Sequence, residues 1–296
     1  MKKQIEKSYQ DKIFHIVNVL IMIFMLIIFI WPLYFVVVAS FSNPIAVTTG
    51  KTLLRPVGFS LEGYKMILEY KPLWLGYANT IFYTAAGTLL NLIFSVCMAY
   101  PLSRKDFPLR KVLLPAFMFT MYFGGGLIPT YLVVKNLHMV DTRWAMIVPG
   151  LISVYNALVI RTYFMNSIPH ELQEASELDG ANAAQYLWKV VLPLSKPVLA
   201  VVGLYYAVGH WNDFYSALIY IYDTDLLPLQ TVLRNALMAQ TMVDVTLDPA
   251  EAELMFLNGL TMRYSMIIAA AIPMLCMYPF IQKHFVKGVM VGSVKG

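Results

Sequence analysis

The chain has 296 residues, of which 59% are hydrophobic and only 13% charged, with a formal net charge of +5. That balance lies outside the range of a soluble globular domain and describes an integral membrane protein, so the positive charge is read as an orientation signal rather than a nucleic-acid footprint. Cys97 and Cys276 both fall inside apolar segments, which argues against a disulfide framework or a metal cluster and marks them as packing residues.

The N-terminus, MKKQIEKSYQDK, is short and basic and leads into an apolar run from Ile13 to about Ala39. The run is too long for a signal-peptide core and lacks a small-residue cleavage site, so it reads as a retained first span with a cytoplasmic N-terminus. A polar connector follows to Trp74, punctuated by Asn43-Pro44, Arg55-Pro56 and Lys71-Pro72. Its Gly50-Lys51-Thr52 does not make a phosphate-binding loop, because Ile45 stands where the first glycine is required and no apolar strand precedes it. No ATP site is therefore expected in this chain. Further spans are predicted from Leu75 to Leu102, Val112 to Val134, Trp144 to Ile160 (interrupted by Pro149-Gly150), Val198 to Tyr222 and Tyr264 to Ile281. The expected architecture is all-α, a polytopic membrane protein with six transmembrane helices in one domain covering residues 1–296.

Six spans put both termini on one side, and the basic residues test which side. With the N-terminus inside, fourteen Lys and Arg fall in cytoplasmic segments, including Arg104, Lys105, Arg110 and Lys111 of the link SRKDFPLRK, against eight outside. The outer segment 223–263 is predicted to carry two short helices. One follows Leu229, Val232, Leu233, Ala236 and Leu237; the other starts at a capping box over Asp248-Pro249-Ala250-Glu251 and closes at Gly259. Asp244, Asp248, Glu251 and Glu253 give this segment an acidic face for a soluble partner, or an ordinary solvated face.

Polar residues inside spans are functional candidates, because a charge at the bilayer centre costs on the order of 3 kcal/mol even on a lenient scale. The fifth span carries Tyr205, Tyr206, His210, Trp211, Asn212, Asp213 and Tyr215, the fourth Tyr155 and Asn156, and the third Tyr122 ahead of Gly124-Gly125-Gly126, whose missing side chains permit close helix approach or local unwinding near a pathway. Aromatic faces beside amides and a carboxylate suit a sugar ring with its apolar face and hydroxyl rim. The competing assignments are an interfacial aromatic belt, or His210 and Asp213 as ion-coupling residues of a gradient-driven transporter.

Between the fourth and fifth spans lies a polar island, residues 167–197, on the cytoplasmic side. Ser167 is a predicted N-cap, Pro169 suits a first turn, and Glu171 and Glu174 complement the helix N-terminus. Asp179-Gly180 closes that helix, and a second runs through Gln185, Tyr186 and Trp188 to Val191, before Pro193. Ala175, Leu178, Ala181 and Ala183 keep the elbow small, and Tyr186, Leu187 and Trp188 form an apolar handle.

The order Glu174-Ala175-Ser176, three residues, Gly180, nine residues, Val190, one residue, Leu192-Pro193 resembles the EAA signature of membrane subunits of ATP-binding-cassette (ABC) importers. Ser176 and Val190 depart from the usual Ala and Ile. From AYPLSRKDFPLRK through FGGGLIPTYLVV and HWNDFYSALIYI to YPFIQKHFVKGVMVGSVKG, the chain is similar to carbohydrate permeases of the maltose-transporter type, in the branch importing pectin or alginate fragments. The resemblance implies a type I importer permease in the bacterial cytoplasmic membrane. It further implies a second homologous permease, two ATPase subunits that bind ATP and Mg, an extracellular solute-binding protein, a sugar or oligosaccharide cargo with a non-sugar solute as the alternative, surrounding lipid, and no nucleic acid. It makes the elbow a coupling helix, with Glu174 and Asp179 as polar contacts, Gly180 as the bend and Tyr186 to Trp188 as the lock, and lets Gly288 to Gly296 reach the ATPase interface.

Overall fold

A computed structural model describes residues 9–239, 256, 257, 259, 260 and 262–276. The elements in chain order are α1 (Tyr9–Ser40), α2 (Pro44–Thr48), α3 (Glu62–Glu69), α4 (Lys71–Ser103), α5 (Arg110–Tyr122), α6 (Leu127–Asn136), α7 (Val154–Ser167), α8 (His170–Leu178), α9 (Ala183–Tyr186), α10 (Leu192–Leu194), α11 (Lys196–Trp211), α12 (Tyr215–Tyr220) and α13 (Leu229–Ala239). A further apolar helix, α14, spans Met262–Cys276. No strand occurs among the described residues, and the chain is an all-α membrane protein. It divides into two compact units, one of residues 1–69 with 236–271 and one of residues 70–235 with 272–296.

In the first unit α1 is apolar on every side, and its buried residues are confined to its last turn at Val38, Ala39 and Ser40. A helix hydrophobic all round belongs in lipid or against other chains. Near its end Phe35 meets Tyr264 edge-on at 6.0 Å. The connector is folded by its own polar groups: Asn43 accepts from the Ile45 amide to cap α2, and the Ser40 and Tyr64 hydroxyls share a 2.8 Å hydrogen bond.

The second unit is assembled on α4, with α7 and α11 packed along it. Asn79, Tyr83, Gly87, Asn91 and Ser95 are all buried, and a four-residue spacing places them in one stripe down the helix. Asn91, fully buried, donates 2.8 Å hydrogen bonds to the carbonyls of Gly150 and Leu151. Those carbonyls are freed where Pro149-Gly150 interrupts the fourth predicted span, so the break has its partner built into the neighbouring helix. The Asn91 oxygen in turn accepts from His210 Nε2 at 2.7 Å, and Gly87 makes room for that ring: a Cβ there would crowd the imidazole. One turn on, the Tyr206 hydroxyl joins Ser95 Oγ at 2.7 Å and accepts from the Ser153 amide at 3.1 Å. At the other end, Asn79 and Tyr83 donate to the carbonyls of Asp225 and Leu226, and Thr80 accepts from the Leu229 amide. The turn before α13 is thus clamped to α4.

The predicted spans are less continuous than their hydropathy. Two helices, α1 and α4, are long and apolar enough to cross a membrane; the bent pairs α5 with α6 (114°) and Ala183–Leu194 with α11 (81°) bring the number to four if each is one span. The third span unwinds at Gly124–Gly126, where Gly126 has φ +86°, and the fifth at Asn212–Phe214. α7 has 14 residues, and the last predicted span is described only as far as Cys276. Cys97 and Cys276 are free and exposed, facing outward from their helices instead of packing within the chain as composition implied. The expected outer helix over 229–237 is present as α13, whereas Asp244, Asp248, Glu251, Glu253 and the terminal segment 288–296 lie outside the described residues.

An Asn91→Ala substitution removes three hydrogen bonds at once. At about 0.6 kcal/mol per intramembrane bond, roughly 2 kcal/mol of stability is expected to be lost. Thermal unfolding of the detergent-solubilised protein, compared with an exposed Asn212→Ala control, checks this.

Candidate functional site

The elbow of residues 167–197 is built from two helix ends set back to back. α7 runs through Ser167, so that residue is not the N-cap of the next helix as its type implied; Pro169 holds the N-cap position without a side-chain hydrogen bond. The extended backbone that proline imposes on Ile168 is what separates α7 from α8. The far end of α8 closes through the Gly180 amide to the Glu177 carbonyl and the Ala181 amide to the Ser176 carbonyl, a Schellman motif whose left-handed residue is Gly180 at φ +75°. Asn182 then opens α9 with a reciprocal capping box: its Oδ1 accepts from the Gln185 amide, and its own amide donates to Gln185 Oε1, both at 2.9 Å. Only Gly180 and Ala181 separate the two caps, which fixes a sharp, rigid bend.

The second helix does not stop before Pro193. It passes through a π turn at Leu187–Val191, in which the Leu192 amide reaches the Leu187 carbonyl, and continues as α10. The wider turn lets the helix absorb a residue with no amide hydrogen.

The elbow faces two ways. Tyr186 and Val191 are buried in this chain's own core with Val96, Ala99, Ile160, Phe164 and Val202. Tyr186 and Trp188 were expected to form one handle, but two residues on a helix point about 200° apart, and Trp188 is 71% exposed. Leu178, expected only to keep the bend small, is 90% exposed beside Gly180. Leu178 and Trp188 are thus exposed, as are Glu174, Ala175, Asp179 and Pro193, while Ser176 and Leu192 are half-buried. Glu174 lies 3.1 Å from His170.

Arg104 ties the elbow to the end of α4. Its guanidinium lies 3.0 Å from Asp106 and 3.4 Å from Glu177, and Tyr100 donates to the Ala183 carbonyl at 3.1 Å. The hydrogen bond from Arg104 holds the Asp106 carboxyl below the usual carboxylate range. That contribution is present at neutral pH and is lost only as pH falls through the lowered value. Both carboxylates are largely exposed, so the ion pairs orient the elbow more than they stabilise it.

The residues expected along a cargo path separate by burial. Tyr206, Trp211 and Asn156 are buried; Tyr206 and His210 serve as the ties between helices described above. Asp213, expected to be a buried carboxylate, is half-buried and accepts from the Ser216 amide at 3.0 Å, capping α12. Asn212 is exposed and donates back to the Val208 carbonyl. Tyr122, Tyr155, Tyr205 and Tyr215 are exposed at 73%, 60%, 43% and 57%. Among the described residues no three His, Cys, Asp or Glu side chains converge as metal ligands.

Residues 91–291 match the family described as binding-protein-dependent transport system inner membrane component. Protein LplC of Bacillus subtilis is 38% identical over 96% of each chain. The B. subtilis polygalacturonan/rhamnogalacturonan transport system permease protein YtcP is 37% identical over 91% of this chain and 94% of its own. In a crystal structure of a bacterial ABC transporter involved in the import of the acidic polysaccharide alginate, one chain superposes with a TM-score of 0.85 at 34% identity, covering 94% of this chain and 98% of that one.

A Cβ at Gly180 would meet nothing within 4 Å, so Gly180→Ala is expected to cost only left-handed backbone strain, about 1 kcal/mol, without a steric clash. Hydrogen exchange of the Ala181 and Gln185 amides should speed up roughly five-fold in Gly180→Ala, and less in Gly180→Asn.

Proposed function

Because the chain belongs to the family of binding-protein-dependent transport system inner membrane components, we propose that it is the permease subunit of an ATP-driven importer that carries a sugar or oligosaccharide across a bacterial cytoplasmic membrane. The observation that carries the reading is the elbow: two short helices capped back to back, anchored inward by Tyr186 and presenting Leu178 and Trp188 outward. A rigid, exposed apolar knob is suited to enter a cleft on an ATPase subunit, which in this reading binds the ATP and Mg. Glu174 and Asp179 flank it as polar contacts, and Gly180 sets its angle.

The carbohydrate assignment is supported by the alginate transporter and by the polygalacturonan/rhamnogalacturonan permease among the similar proteins. In this reading the whole chain acts as one permease domain with both termini in the cytoplasm, beside a second homologous permease and two ATPase subunits, and receives cargo from an extracellular binding protein. ATP binding draws the elbows together, the helices rock from inward-open to outward-open, and hydrolysis resets them. The exposed Tyr122, Tyr155, Tyr205, Asn212 and Tyr215 are the proposed cargo contacts, with the buried set holding the walls. An ion-coupled transporter is disfavoured, since His210 Nε2 and Asp213 Oδ1 are already engaged with Asn91 and the Ser216 amide.

Truncating an apolar anchor at an interface costs about 2 kcal/mol, roughly thirty-fold in affinity. Leu178→Asp and Trp188→Ala are each expected to weaken co-purification of the ATPase by that order while leaving membrane insertion intact; full recovery of an ATP-stimulated complex from both variants rejects the knob. In the assembled complex, Tyr155→Ala and Tyr215→Ala should lower cargo-stimulated ATP hydrolysis without changing subunit recovery. Unchanged stimulation rejects that part of the path.

A further inference from the structure

Beneath the elbow lies a cavity of about 150 Å³ that the transport reading does not use. Its walls differ in chemistry. Arg104, Lys105 and His170 supply basic and hydrogen-bonding groups, while Phe164, Met165 and Ile168 supply an apolar side. The first turn of α8 adds amide groups with no side-chain cap, because Pro169 holds the N-cap position. The carboxylates that pair with these bases, Asp106 and Glu177 on Arg104 and Glu174 on His170, have side chains 69%, 57% and 65% exposed, and none of the three lines the cavity. The three bases thus line the cavity while their carboxylate partners do not, with Arg104 Nε and Nη2 turned to Asp106 and Glu177.

Position adds a second argument. α4 has 33 residues, or roughly 50 Å at 1.5 Å per residue, against a hydrocarbon core of about 30 Å. That surplus of about 20 Å lets the end at Ser103, with Arg104 and Lys105 following, reach the lipid headgroups, and Arg110 and Lys111 at the start of α5 add further positive charge. A cavity that is basic on one wall, apolar on the other and open at this depth matches a phosphate carried on a glycerol backbone.

We propose that this cavity binds the phosphate of an anionic phospholipid headgroup, with the glycerol end lying along Phe164, Met165 and Ile168. Such a lipid braces the root of the elbow, between the end of α4 and the start of α8. The proposal goes beyond the transport reading and is tested without ATP or cargo, so either can fail alone.

The test is native mass spectrometry of the full chain, purified in detergent with its accompanying subunits and titrated with phosphatidylglycerol, phosphatidylcholine or inorganic phosphate. Phosphatidylglycerol is expected to be retained in preference to phosphatidylcholine. Removing one surface cation, Lys105→Gln, should lower its retention roughly five-fold, with Lys105→Arg restoring it. Met165→Trp, which fills the apolar side and leaves the charges, should lower retention as well. Equal retention of the two lipids, or phosphatidylglycerol retention that neither Lys105→Gln nor Met165→Trp changes, overturns the proposal. Displacement of phosphatidylglycerol by inorganic phosphate alone overturns the lipid source and assigns the cavity to a soluble anion.

Discussion

Inside a bilayer no water stands ready to satisfy a broken helix, so every interruption of the backbone needs a side chain to receive it. Asn91 meets that constraint at the break of Pro149-Gly150. Its amide takes the two carbonyls freed at Pro149-Gly150, and its oxygen takes His210, so one residue joins α4, the broken fourth segment and the end of α11. Tyr206 repeats the arrangement through Ser95 and the Ser153 amide. Because these ties come from one stripe of α4, the helices that carry the elbow are referred to a single rigid element.

The elbow uses the opposite principle. Backbone groups at helix ends can also be closed locally, and here the Schellman turn at Gly180 and the capping box at Asn182 close both ends within a few residues. The segment needs no partner to hold its shape, which leaves Leu178 and Trp188 free of duties within this chain. Large apolar side chains left exposed on a segment closed by its own caps are the features expected of a docking surface. Tyr186, buried from the same short helix, and the Arg104 tie to Glu177 transmit the projection's position to α4 and α7.

Much of this was legible in the residues. The composition gave the solvent, the apolar runs gave α1 and α4, helical periodicity gave α13, and the spacing around Gly180 gave the elbow and its left-handed residue. What was missed has physical reasons. The glycines at Gly124–Gly126 carried local unwinding as one of their two readings, whereas hydropathy sums over a window and cannot see that Asn212–Phe214 unwinds a span, because a lone Asp hardly changes the average. Asn91 is not singled out by its type; only the four-residue rhythm from Asn79 to Ser95 marks a buried stripe. The capping box was present as Asn182 followed three residues later by Gln185 but was passed over for the stronger Gly180 signal. Tyr186 and Trp188 were grouped by adjacency, where helical geometry sends them to opposite faces. Leu178 was read by size alone, since exposure is a property of the fold.

The outward knob on the elbow is tested most directly by site-directed cross-linking in the assembled complex, with Cys97 and Cys276 removed and single cysteines introduced as Leu178→Cys, Trp188→Cys or Tyr186→Cys. Cross-links to an ATPase subunit from positions 178 and 188, and none from 186, are the result the account predicts. Cross-linking from 186 with none from 178 or 188 would contradict it, because the face of the elbow buried here would then be the one that docks.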